Sequence, residues 1–214
     1  RMYTATSRVM GFLKEGHPFW TLGCQWTDTE TPMGDQGVIS SMYQTFFGGA
    51  QGFGYYTSDT DSESLINNMK ASYESGEMKE LFSHFSHGNG VVFNQSLSGK
   101  YFYRSWVKDN GEIYLAIMEK TYGGANTDVE IDLTSTNGKV KINNFTATLV
   151  NGGDTPVVTG TDGIFKLSMK PSQTSLYKIE TTDAVDLSKI TLPAFDDMAE
   201  ASWAQTAGEL LWNA

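Results

Sequence analysis

The sequence predicts an α/β portion followed by an all-β portion, the second folded as an antiparallel β-sandwich. Three observations carry this. Between His17 and Thr57 two short apolar runs flank a stretch of helical periodicity. Near Gly90 the apolar spacing changes from a helical period to a period of two. From there on turn signals recur between short apolar-polar alternations, at Asp109-Asn110-Gly111, Tyr122-Gly123-Gly124, Asn137-Gly138 and Asn151-Gly152-Gly153.

In order, Met2 to Gly16 reads as the end of a helix, with Val9, Phe12 and Leu13 on one face and Gly16 as the stop. His17 to Trp26 fits a short buried strand. Thr27 to Met33 is a polar loop carrying Asp28, Glu30 and Pro32. Gly34 to Phe47 places Val38, Ile39, Met42 and Phe46 on one helical face, and Gly48-Gly49 ends it. Gly52 to Thr57 fits a second buried strand. Strand, helix and strand in this order make a parallel βαβ unit, which implies a sheet covered by helices. Ser58 to Ser62 is rich in capping residues. A helix through Leu65, Ile66, Met69 and Tyr73 follows, interrupted at Ser75-Gly76, and a second helical segment holds Met78, Leu81, Phe82 and Phe85.

Beyond the boundary near Ser86–Gly90, strands are expected at Val91–Gln95, Tyr101–Lys108, Glu112–Glu119, Val129–Leu133, Lys139–Ile142, Phe145–Val150, Gly163–Met169 and Ser175–Glu180. Short strands at this spacing indicate a sandwich or barrel. The organisation is therefore an α/β portion over 1–88, a sandwich over 89–180 expected to fold as its own unit, and a tail over 181–214. In the tail, Trp203, Leu210, Leu211 and Trp212 suggest an amphipathic helix or a docking segment.

Of 214 residues 39% are hydrophobic, enough to bury a sizeable core, and the formal charge of −10 argues against gripping nucleic-acid phosphates or an anionic membrane surface. Cys24 is the single cysteine, so no intrachain disulfide forms; within an apolar run it reads as a small buried hydrophobe. His17, His84 and His87 make no nucleophile or metal pattern with it. No apolar run reaches the roughly 18 residues of a membrane span. Phosphate loops, dinucleotide fingerprints and zinc spacings are missing, so neither cofactor nor metal is expected. The chain opens on Arg1, which leads us to expect that the gene product starts earlier. Asn94-Gln95-Ser96 and Asn144-Phe145-Thr146 are glycosylation sequons, which makes Asn94 and Asn144 acceptor candidates.

The order of elements, with particular motifs, resembles the C-terminal part of a (β/α)₈-barrel glycoside hydrolase with its C-terminal β-sandwich. Gly16-His17-Pro18-Phe19-Trp20-Thr21-Leu22 looks like the passage such enzymes use as barrel strand seven. Asp28 to Asp35 looks like the loop before helix seven. Phe47-Gly48-Gly49-Ala50-Gln51-Gly52-Phe53-Gly54-Tyr55-Tyr56 looks like the entry to strand eight, and Glu112–Glu119 and Ser175–Glu180 look like sandwich strands. The resemblance spans about residues 5 to 180, with 1–88 as helix six to helix eight: the last βαβα part of a TIM-type barrel.

What the resemblance implies is glycosidic-bond hydrolysis by two carboxylates, at the carboxyl ends of the barrel strands. Those ends are Gln25–Glu30 and Tyr56–Asp61. Many relatives place a catalytic Glu where Gln25 stands, and an amide cannot act as nucleophile or base. Glu30 and Asp28 follow closely and are the catalytic candidates; Gln25, Trp26, Tyr56 and Asp59 are the substrate-binding candidates. A Trp can stack on a pyranose face while polar groups bond its hydroxyls. For Asp59 and Asp61 helix capping competes with a binding role, and for Asp28 and Glu30 a helix N-terminus does. Tyr101, Tyr103 and Trp106 are either a carbohydrate-binding strip or sandwich core. The partner of an acid/base pair would come from barrel strand four, which this chain does not contain. Expected partners are thus an N-terminal barrel portion or other protein subunits, and carbohydrate. The expected placement is extracellular or at the cell surface. The competing reading is an inactive structural or assembly subunit that keeps the hydrolase fold.

Overall fold

The computed structural model describes residues 20–24, 35–56, 62–75, 78–85, 93, 99–108, 110–121, 123–135, 138, 140–151 and 155–186. In the first portion, β1 (Trp20–Cys24) pairs in parallel with β2 (Gly52–Tyr56), from Trp20 opposite Gly52 to Cys24 opposite Tyr56. Between them lies α1 (Asp35–Phe47), as the periodicity predicts. Its end shows why two glycines follow. Gly49 adopts φ 101°, its N–H donates to Phe46 O at 2.9 Å, and Ala50 N–H reaches back to Thr45 O at 3.3 Å. This pair of bonds is the Schellman arrangement, which satisfies the orphan carbonyls and turns the chain into β2. Next come α2 (Ser62–Glu74) and α3 (Met78–Phe85). Tyr43 of α1 donates its hydroxyl to Ser72 O of α2, and the rings of Phe46 and Tyr73 lie 5.4 Å apart.

The second portion has a five-stranded antiparallel sheet in the order β3-β4-β9-β6-β7, made from β3 (Tyr101–Val107), β4 (Ile113–Glu119), β6 (Phe145–Leu149), β7 (Val157–Gly160) and β9 (Thr174–Thr181). Facing it is a two-stranded sheet of β5 (Thr127–Asp132) and β8 (Ile164–Met169). Alternate residues of both sheets meet in one core, with Leu115, Ile117, Ile131, Phe165 and Tyr177 fully or almost fully buried. β5 shows the half-buried alternation the sequence predicts, whereas β4 is buried at every position.

The reason for the unbroken burial of β4 is a second core on the other side of the sheet. Met42, Phe46 and Phe47 of α1, with Met78 and Leu81 of α3, pack on Phe102, Trp106, Tyr114, Met118 and Leu176. The sequence-predicted boundary near residue 88 therefore runs between elements that share one hydrophobic cluster. Phe53 of β2 also packs against this cluster, half-buried.

Two strand expectations are met differently. β7 is an extra strand the periodicity does not reveal. Of the run expected at Lys139–Ile142, Lys139 lies outside the described residues, Ser135 N–H donates to Val140 O at 2.7 Å, and Lys141 makes a single bridge to Thr134. Of the run expected at Val91–Gln95, Phe93 bridges to Ser135 and its neighbours lie outside the described residues.

Candidate functional site

The carboxyl ends of β1 and β2 are Cys24 and Tyr56, which sit opposite each other in the register. The loops that begin at Gln25 and at Thr57 therefore leave from adjacent strand ends, where the sequence-derived site is expected. Of its residues, Tyr56 is the last residue of β2. Gln25, Trp26, Asp28, Glu30 and Asp59 lie outside the described residues.

The acceptor candidate Asn144 is exposed at the start of β6, and Asn94 is outside the described residues. Asn144 Nδ2 donates to Asp183 Oδ1 at 2.7 Å, and its backbone N–H donates to Asp183 Oδ2 at 3.0 Å. These bonds hold the Asp183 carboxyl below its ordinary range. Beside Asn144, a groove of about 420 Å³ is lined by Thr146, Thr159, Thr161, Glu180 and Thr182.

The aromatic residues of β3 divide. Trp106 is 1% exposed and packs on Phe47 at 5.9 Å, with the Arg104 guanidinium 5.1 Å from its ring, so it belongs to the core shared with α1. Arg104 Nη1 donates to Phe47 O at 3.1 Å, capping the carbonyl end of that helix. Tyr101 and Tyr103 are half-buried against the sandwich core, with rings 6.4 Å apart, and Tyr101 donates its hydroxyl to Glu130 O at 2.9 Å. Burial, and then the charges of Tyr101 and Asp132, raise the Tyr103 phenol.

One polar centre escapes sequence reading altogether. Glu119, at the end of β4, is 1% exposed. Its Oε2 accepts the N–H groups of Thr121 and Ser172, both at 2.8 Å, and its Oε1 accepts the Thr127 hydroxyl at 2.9 Å. The Ser172 hydroxyl donates to Thr121 O at 2.9 Å. Residues 120–121, 123–126 and 170–173 are thereby tied into one double loop. Within it, Ser172 has φ 61°, the left-handed region that non-glycine residues seldom occupy, and Thr121 Oγ1 is buried without a hydrogen-bond partner. A glutamate ending an apolar strand looks solvated in the sequence; its donors come from segments up to 53 positions away, so no local pattern announces it.

Among the described residues no group of three or more His, Cys, Asp or Glu is placed to hold a metal ion, and no helix is long and apolar enough to cross a membrane.

No family model and no curated protein matches the sequence. Solved structures do match. A GH27 β-L-arabinopyranosidase from Geobacillus stearothermophilus is similar over 87% of this chain and 42% of its own, with TM-score 0.52 and 13% identity. An α-amylase from Geobacillus thermoleovorans, solved with acarbose, is similar over 85% of this chain and 47% of its own, with TM-score 0.51 and 12% identity. The chain thus spans less than half the length of these relatives. At such identities the likeness shows the fold alone. The neighbours are glycoside hydrolases matched over part of their length, consistent with the C-terminal portion of a barrel-type glycoside hydrolase fold, as the sequence motifs imply.

Proposed function

We propose that this chain is the C-terminal portion of a glycoside-hydrolase-like protein that acts on or binds carbohydrate, with an active site the chain does not complete by itself. One observation carries the reading. A parallel β1-α1-β2 unit and a sandwich joined to it through a shared core match barrel-type hydrolases over most of this chain but less than half of theirs. A (β/α)₈ barrel needs eight strands around its axis, so an N-terminal barrel portion or another subunit supplies the remainder. In this reading β1 and β2 are the last barrel strands, Glu30 and Asp28 are the carboxylates this chain offers, and Gln25, Trp26, Tyr56 and Asp59 line the sugar. The exposed Asn144 fits a secreted or cell-surface protein, which a mobility shift on enzymatic removal of N-glycans checks.

The purified 214-residue chain should show no turnover across a panel of aryl and natural glycosides, and turnover should appear when the preceding barrel portion is supplied. Robust hydrolysis by the chain alone, lost in Glu30→Gln, would sink the proposal. The inactive assembly subunit is the second reading, favoured by Gln25 at the position where a catalytic Glu is expected. The reconstituted protein separates them: the subunit reading expects association without turnover.

A further inference from the structure

The part of the five-stranded sheet that α1 and α3 leave uncovered carries the groove beside Asn144. Thr146 of β6 pairs with Glu180 of β9 on one side and with Thr159 of β7 on the other, so the three side chains stand in a row across the strands. Their neighbours Phe145, Ala147 and Ile179 point into the sandwich core, which turns this row outward. Asn144, Thr161 and Thr182, two positions along from the first three, complete a lining around about 420 Å³. Pockets that take small ligands run from roughly 300 to 1,000 Å³. The side chains of Thr146, Thr159, Thr161, Thr182 and Glu180 make no hydrogen bond or ion pair among the described residues. Four hydroxyls and one carboxylate are thus open to a ligand. The rim is already fixed: the Asp183 carboxylate holds Asn144, Thr181 Oγ1 donates to Asn144 O at 2.6 Å, and Asp183 N–H donates to Thr181 Oγ1 at 3.0 Å. Filling the groove therefore costs little ordering of the protein.

The groove lies away from the ends of β1 and β2. α1 follows β1 and precedes β2, so its first turn lies toward the carboxyl ends of the strands and Phe47 toward their amino ends. Along β9, Thr174 is hydrogen-bonded to Ser40 near the middle of α1, and Leu176 stands beside Ala116, the partner of Arg104, which caps Phe47 O. The strand thus runs toward the end of α1 remote from the expected reaction site. Glu180 lies six positions beyond Thr174 in that direction, roughly 20 Å of strand.

We propose that this groove is a second carbohydrate site, which holds a neutral glycan chain apart from the bond that is cleaved. The inference rests on the carbohydrate reading above and adds a binding site to it. Each threonine hydroxyl both donates and accepts, and the carboxylate accepts from sugar hydroxyls, so the lining matches a ligand that offers both kinds of group. No lysine or arginine lines the groove, and Glu180 repels anions, which disfavours phosphates and acidic chains. A cationic ligand brings donors alone and leaves the donor capacity of four hydroxyls unused.

The test is an NMR titration of the ¹⁵N-labelled 214-residue chain with maltoheptaose, cellohexaose, xylohexaose and mannohexaose, and with trilysine as a cationic probe. At least one oligosaccharide should shift the amides of Thr146, Thr159, Thr161 and Glu180. Thr146→Val, which keeps the β-branched shape, and Glu180→Gln should each weaken that binding about tenfold, the size of one lost hydrogen bond to a good partner, with Tm unchanged. Thr148→Ala, outside the groove, should leave it unaltered. Unweakened binding in both groove variants overturns the site. Shifts confined to the ends of β1 and β2 overturn it too and leave the carbohydrate reading standing. Groove shifts with trilysine and with no sugar overturn the neutral-glycan assignment. No groove shift with any probe also overturns the site, while the hydrolase reading still stands or falls on turnover by the reconstituted protein.

Discussion

The outer face of the five-stranded sheet has two halves of opposite character, divided along β9. Over β3, β4 and the first residues of β9 it carries Phe102, Trp106, Tyr114, Met118 and Leu176, all at most 5% exposed beneath α1 and α3. Over β6, β7 and the last residues of β9 it carries Thr146, Thr148, Thr159 and Glu180, all exposed. The inner face shows no such division. The difference teaches that the sandwich is not closed by its own two sheets: half of one outer face is a docking surface for helices of the α/β portion. Tolerance to substitution belongs to the open half, while the covered half holds the two portions together.

The largest effect should come from separating the halves from their partners. Removing residues 1–88 would expose those five apolar side chains, each worth about 1.5–3 kcal/mol when buried. That is comparable with the roughly 5–15 kcal/mol that stabilises a whole domain. The fragment 89–186 should therefore aggregate or melt without cooperativity, as light scattering and circular dichroism would show. A monomeric fragment with a sharp thermal transition would mean that the covered half does not hold the portions together. On a smaller scale, Trp106→Ala in the intact chain should cost about 3–5 kcal/mol, the usual penalty for truncating a buried large aromatic. Thr148→Ala, on the open half, should stay within about 0.5 kcal/mol. Urea unfolding of the two variants tests the comparison, and similar losses would erase it.

How much of this the sequence discloses follows the same division. β5 alternates buried and exposed and is visible as a strand with a defined inner face. β4 is visible as a strand, but Ile-Tyr-Leu-Ala-Ile-Met has no polar face to read, and its second partner comes from helices α1 and α3, well removed along the chain. β7 is hidden because it has four residues, follows Pro156 and is only partly buried, so neither periodicity nor length marks it. The βαβ unit is legible because Gly48-Gly49 punctuates it, and the structure puts φ 101° where the second glycine stands. At the candidate site, residue types and family pattern point to Gln25–Glu30 and Tyr56–Asp61, whereas the Glu119 double loop is assembled from distant segments and has no signature along the chain.

The smallest predicted effect lies on the border between the halves. Glu112 accepts from Lys178 of β9, on the open side, and pairs with Lys108 at 3.2 Å; Lys108 also reaches Glu80 of α3 at 3.3 Å, on the covered side. Asn110 Nδ2 adds a bond to Glu112 at 3.0 Å. The bond from Lys178 and then that from Asn110, with Lys108 assisting against a desolvation that acts the other way, lower the Glu112 carboxyl from 4.5 to about 2. A carboxyl whose pKa is lower in the folded state contributes stability above its unfolded pKa, and that contribution fades as pH falls through the folded value. The window is therefore from about pH 4.5 down to about pH 2. The group is partly solvated, so screening should leave a contribution of at most about 1 kcal/mol. Glu112→Gln should accordingly lower stability slightly at pH 7, and its difference from the unmutated chain should shrink as pH falls from 4.5 toward 2. Urea midpoints at pH 7, 4 and 2.5, at low and high salt, measure this. A difference that stays constant across those pH values would show that the Glu112 ion pairs do not couple the covered and open halves energetically, and that apolar packing alone joins the sheet to its helices.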